Sequence, residues 1–120
     1  MAKTQTLILV RPRRTEWLKA EGIDALLQLI FYKSRDLSRV AKTLIFEIRE
    51  RQRQREPYMA KDWKSFIDEN KVSHSNYFST LRRLVGAGLL RRERGAYFVS
   101  RDFATFLRET AEIWDSWLAS

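Results

Sequence analysis

Three of the four glycines in this 120-residue chain fall between Leu81 and Phe98, in the stretch LRRLVGAGLLRRERGAYF. Five arginines share the stretch. Tyr77, Phe78, Leu81, Leu84 and Val85 recur at helical spacing ahead of it and predict one buried stripe. Ser73 suits the cap of that helix, because its hydroxyl can accept from exposed first-turn amides. Gly88 suits its end, where a left-handed residue is needed and glycine has no Cβ to clash. Leu89–Glu93 and Ala96–Ser100 then read as a hairpin with Arg94-Gly95 at its tip, Gly95 supplying positive φ. The region is thus restricted to a helix followed at once by a hairpin. Gly86 does not fit this account. Inside a helix it costs about 1 kcal/mol relative to Ala, and close packing by another segment, such as the N-terminal one, is expected there.

Upstream, Leu37, Val40, Ala41, Leu44, Ile45 and Ile48 follow the i, i+3, i+4, i+7 rule. This amphipathic helix starts near Asp36, runs into RERQRQRE (Arg49–Glu56) and is stopped by Pro57. The charged tail is either a solvated helix end or a basic ridge on phosphates. Tyr58 and Met59 form a brief extended link. Ala60–Glu69 presents Trp63, Phe66 and Ile67 on one face of a short helix, and ENKVS makes a turn. At the N-terminus, Thr6–Val10 (TLILV) reads as a short strand or packed arm. Pro12 disfavours helix in RPRR (Arg11–Arg14), and Thr15 can cap a helix with Glu16 in its first turn. Trp17, Leu18, Ile23, Leu26, Leu27, Ile30 and Phe31 recur at helical spacing, with Gly22 as a break. Ser100 can cap a last helix that carries a long apolar stripe.

Charge narrows the function. Lys and Arg number 23 against 15 Asp and Glu, a net charge of +8, which suits a polyanionic partner. The excess is +6 over residues 1–60 and +4 over residues 61–100, but −2 over residues 101–120. The last segment therefore has a different role. No apolar run approaches the length of a membrane span, and no secretory signal is read at the N-terminus. The chain has no Cys, which excludes disulfides, cysteine-based zinc sites and thiol catalysis. His74 is the single His, without a paired carboxylate motif, and no phosphate loop, dinucleotide fingerprint or metal cluster is present. The chain is expected to be no enzyme, to need no cofactor and to work in the cytoplasm, associated with the nucleoid.

The order helix, link, helix, turn, helix, hairpin resembles the winged helix-turn-helix superfamily. The likeness is sharpest at Ser79–Ser100, STLRRLVGAGLLRRERGAYFVS, where Leu81, Leu84, Ala87, Gly88, Leu89 and Leu90 match its register. Val85 and Gly86 depart from it, since such proteins usually place charged helix formers there. Size, arginine content and the terminal helix are similar to those of small archaeal winged-helix regulators and chromatin-associated proteins. The implied fold is mainly α with a small β-hairpin wing. A single domain of residues 1–120 would comprise an N-terminal arm and helix (1–36), a winged-helix core (37–100) and a C-terminal packing or dimerisation helix (101–120).

Within that frame the helix at about residues 73–87 enters the major groove of double-stranded DNA, and the wing at about 89–100 contacts the flank. Asn76, Ser79 and Arg83 lie opposite the apolar stripe, flanked by Ser75, Thr80 and Arg82. Asn and Arg suit bidentate contacts to adenine and guanine edges. Arg91, Arg92 and Arg94 can reach phosphates or a neighbouring minor groove. Lys61, Lys64 and Lys71 are backbone contacts around the supporting helix, and RPRR is a candidate minor-groove arm. The last helix places Phe103, Phe106, Leu107, Ile113, Trp114 and Trp117 on one stripe about 27 Å long. Such a length exceeds what a small winged domain can cover, so a homodimer is expected. Packing against the N-terminal residues of the same chain is the rival. The expected function is transcription regulation by DNA binding. The alternatives are a low-specificity architectural or plasmid-maintenance protein and a protein-interaction module of a replication or transcription complex.

Overall fold

The computed structural model describes residues 22–31 and 34–120. These form five α-helices and three short strands in the order α1 (Ile23–Ile30), α2 (Arg35–Arg53), β1 (Tyr58–Met59), a 3-10 turn (Ala60–Asp62), α3 (Trp63–Asn70), α4 (His74–Ala87), β2 (Leu90–Glu93), β3 (Ala96–Val99) and α5 (Asp102–Ala119). The readings at Thr6–Val10, Arg11–Arg14, Thr15, Trp17 and Leu18 lie outside the described residues.

Local chemistry sets most boundaries. Ser34 Oγ accepts the Leu37 amide at 3.2 Å to start α2, and Ser73 Oγ accepts the Asn76 amide at 3.1 Å to start α4. Both satisfy amides that lack intrahelical partners. Helices α2, α3 and α4 each end on a left-handed residue: Arg55, Lys71 and Gly88. In each case the following amide reaches back five residues, Glu56 to Arg51, Val72 to Ile67 and Leu89 to Leu84, at 3.0–3.1 Å. This geometry caps orphan carbonyls. Only the third uses glycine.

The strands form one antiparallel sheet in the order β1-β3-β2. Arg94 (φ 51°) and Gly95 (φ 78°) supply the two positive φ values of a two-residue hairpin turn. The link read at Tyr58–Met59 is a third strand, with Tyr58 opposite Tyr97 and Met59 opposite Ala96. The Ala60 amide extends the pairing by donating to the Gly95 carbonyl at 2.7 Å.

One core joins all layers. Leu44 and Ile48 of α2, Phe66 of α3, and Tyr77, Leu81 and Leu84 of α4 meet Tyr58, Leu90 and Tyr97 of the sheet. Leu27 and Phe31 close it from α1. Helix α4 differs from the expected stripe at its edges. Thr80 is fully buried beside Tyr77, Leu81 and Leu84, whereas Val85 is exposed. Phe78 is half-buried against Trp63 and His74.

Gly88 and Gly95 take the positive φ expected of them, and Gly86 stands apart. Among the described residues a Cβ at Gly86 would meet nothing within 4 Å, so no described segment packs there, and the N-terminal segment expected there lies outside the described residues. The close approach is two residues on: a Cβ at Gly88 would lie 3.0 Å from the Phe103 amide nitrogen. That amide donates to the Gly88 carbonyl at 3.0 Å. Helix α5 is thus fixed to the body at its first turn. Phe103 is buried there and drops out of the expected dimerisation stripe. From Arg108 to Ser120 every residue is exposed.

Candidate nucleic-acid interface

Helices α3 and α4 are joined by Lys71, Val72 and Ser73 alone, with Lys71 left-handed. Helix α4 leads through Gly88 and Leu89 into the β2–β3 hairpin. Two features fix α4 against the sheet. Leu84 of α4 and Leu90 of β2 are buried in the same core, and the Tyr58 and Tyr77 hydroxyls share a 2.6 Å hydrogen bond. Burial raises the pKa of both phenols.

Of the residues expected to touch DNA, Ser75, Asn76, Arg82, Arg83, Arg91, Arg92, Arg94, Lys61, Lys64 and Lys71 are exposed. Ser79 is half-buried. Thr80 is a correction: it has no exposure, and its hydroxyl has no hydrogen-bond partner among the described residues. At i+3 from Tyr77 and i+4 before Leu84 it stands inside the apolar stripe, so it cannot reach a ligand. Ser75, Ser79, Arg82 and Gly86 recur at i, i+4, i+7 and i+11 and define the middle of the outward face. Arg83 lies to one side, its guanidinium 5.7 Å from the centre of the Phe31 ring. Helix α1 therefore helps orient Arg83.

The hairpin carries its arginines on both faces. Arg91 pairs with Glu93 at 3.5 Å and sits over Phe98, while Arg92 sits over Tyr97. Arg94 is at the tip. Among the described residues no carboxylate pairs with Arg82, Arg92, Arg94, Lys61, Lys64 or Lys71.

The charged end of α2 is turned to internal use. Arg51 pairs with Asp62 at 3.2 Å and donates to the Glu56 carbonyl. Gln52 Oε1 accepts the Val99 amide at 3.1 Å, tying α2 to the hairpin. A groove of about 530 Å³ beside it is lined by Glu47, Glu50, Asp62 and Glu69 around Arg51. Partial burial raises the Glu47 pKa, and Arg51 opposes the rise. Four carboxylates against one cation make this groove repel phosphates. Among the described residues no cluster of His, Asp or Glu could hold a metal ion, and no helix is long and apolar enough to cross a membrane.

Three contributors to this site leave no local signal in the sequence: the pairing of β1, the Tyr58–Tyr77 bond and the Gln52–Val99 link. Each depends on a partner distant in the chain. A family model described as an archaeal family matches residues 20–119. No curated protein and no solved structure matches the chain.

Proposed function

The chain belongs to this archaeal family, and we propose that it is a winged helix-turn-helix protein that binds double-stranded DNA and regulates transcription. The observation that carries the reading is the continuity of α3, its three-residue turn, α4 and a basic hairpin, where Arg82, Arg92 and Arg94 have no carboxylate partner among the described residues. In this reading α4 enters the major groove. Asn76, Arg82 and Arg83 meet base edges, and Ser75 and Ser79 meet the backbone or bases. Arg91, Arg92 and Arg94 hold the flank, and Lys61, Lys64 and Lys71 neutralise phosphates. No bond is made or broken. A homodimer would present two copies of α4 to one duplex, so its site would be a pseudo-palindrome. Cytoplasmic, nucleoid-associated work follows from DNA as the partner.

A second reading has its own support. The middle of the outward face of α4 is Ser75, Ser79, Arg82 and Gly86, with one side chain long enough to read a base edge. That favours an architectural protein held mainly by phosphates.

Selection of duplexes from a random pool, followed by salt titration of selected and random DNA, separates the readings. A regulator keeps a large affinity ratio once electrostatics are screened. Equal binding to both duplexes at every salt concentration makes the protein architectural. No binding to either at low salt ends the DNA reading.

A further inference from the structure

Helix α5 is amphipathic, yet the described body covers only its base. Phe106 is 49% exposed, Ile113 72%, Trp114 57%, Trp117 65% and Leu118 58%. The two indoles stack on each other, 5.2 Å apart and 14° from parallel, and form one flat apolar slab. We infer that this face of α5 pairs with the same face of a second copy of the chain. The inference supplies the assembly of the preceding reading, and it stands whether or not the protein binds DNA.

Area favours this occupant. The five side chains together leave roughly 600 Å² of apolar surface, given the size of aromatic and aliphatic side chains. Two copies face to face would bury on the order of 1,200 Å², where stable specific interfaces begin. Position favours it too. Every residue of α5 from Arg108 onward is exposed, clear of the described body, so a two-fold pairing covers both stripes without covering α4 or the hairpin.

Charge argues against the other polyanionic surfaces. The polar side of α5 carries Asp102, Glu109, Glu112 and Asp115 against Arg108. Helices that lie on anionic lipid carry Lys and Arg there instead, and DNA would be repelled for the same reason.

Sedimentation velocity of the full chain from about 1 to about 100 µM, with tryptophan emission recorded on the same samples, tests the pairing. The expected result is a species of twice the 14.3 kDa chain mass whose emission moves to shorter wavelength as it forms. Ile113→Glu combined with Trp117→Glu should raise the dissociation constant at least about 30-fold. Far-UV circular dichroism should show that α5 is kept. Ser116→Glu, on the polar side, should leave assembly unchanged. A monomer at the highest concentration overturns the inference in each of its forms. With solvent-like emission, the face is unoccupied; with short-wavelength emission, it is covered by the chain's own residues; with binding to anionic vesicles, it is a lipid surface. A dimer that survives the double substitution overturns it as well.

Discussion

The hydroxyl oxygens of Tyr58 and Tyr77 lie 2.6 Å apart, with both side chains wholly removed from solvent. This bond crosses from β1 to α4 and so joins the sheet to the helix proposed to read DNA. Each hydroxyl is the other's hydrogen-bond partner. Removing one leaves the second buried and unsatisfied, which costs about 1–3 kcal/mol, whereas removing both exchanges a polar contact for an apolar one. Tyr77→Phe should therefore lower the unfolding free energy by that amount, and Tyr58→Phe/Tyr77→Phe should recover part of it. Urea denaturation of both single variants and the double variant gives the cycle. A double variant as unstable as the sum of the singles would show that the hydroxyls act separately.

The same pair predicts alkaline behaviour. Burial pushes both phenols above their ordinary range; the shared hydrogen bond adds to the rise at Tyr58 and opposes it at Tyr77. The unfolded chain releases these protons near pH 10 while the folded chain retains them. Stability from this source is fully present below about pH 10 and is lost as pH rises toward the folded-state values. The slope approaches about 2.7 kcal/mol per pH unit for two protons. Denaturation midpoints between about pH 8 and pH 11 check this, and the fall should be shallower in the double Phe variant.

Two arginines should separate reading from holding. Arg82→Ala should cost about 1–3 kcal/mol of discrimination between selected and random duplexes. Arg94 stands at φ 51°, a conformation that Asn favours, so Arg94→Asn keeps the turn while removing the charge. It should weaken all duplexes alike and reduce the salt slope by about 0.9. Arg83→Ala removes a second base-edge contact, but it also uncovers Phe31. Its thermal melt must accompany its binding curve. Unchanged site preference in Arg82→Ala would take that residue out of the reader.

What could be read from the chain without the structure was what local chemistry decides. Ser73 caps α4 through its own hydroxyl, Gly88 ends that helix, and Arg94-Gly95 makes the turn; each needs only its neighbours. Thr80 shows position overriding residue type. Spacing puts it in the stripe with Tyr77, Leu81 and Leu84, while its hydroxyl suggested the surface. The strand at Tyr58–Met59 is two residues long and shows no alternation, so it becomes a strand only when β3 arrives beside it. Exposure of α5 was foreseeable from length, since an apolar stripe of about 27 Å exceeds the contact available at Gly88. Phe103 lies at that contact and is buried for the same reason.

The two glycines at the end of α4 should respond to Ala in opposite directions. Gly88 has φ 90°, and an added Cβ would meet the Phe103 amide at 3.0 Å. Gly88→Ala must strain the backbone and displace α5, so it should destabilise by more than about 1 kcal/mol. Gly86 is helical and exposed, and no described residue comes within 4 Å of a Cβ built on it. Gly86→Ala should stabilise the fold by about 1 kcal/mol through helix propensity, raising the melting temperature by roughly 4–8 °C. A helix that gives up this stability on its outward face, in line with Ser75, Ser79 and Arg82, leaves room for a surface outside the molecule. Gly86→Leu should then keep the fold and weaken duplex binding at every salt concentration, because the side chain stands between α4 and the groove. Thermal melts and anisotropy titrations of the two Gly86 variants distinguish the causes. Undiminished binding by Gly86→Leu would show that the opening at Gly86 does not face the duplex.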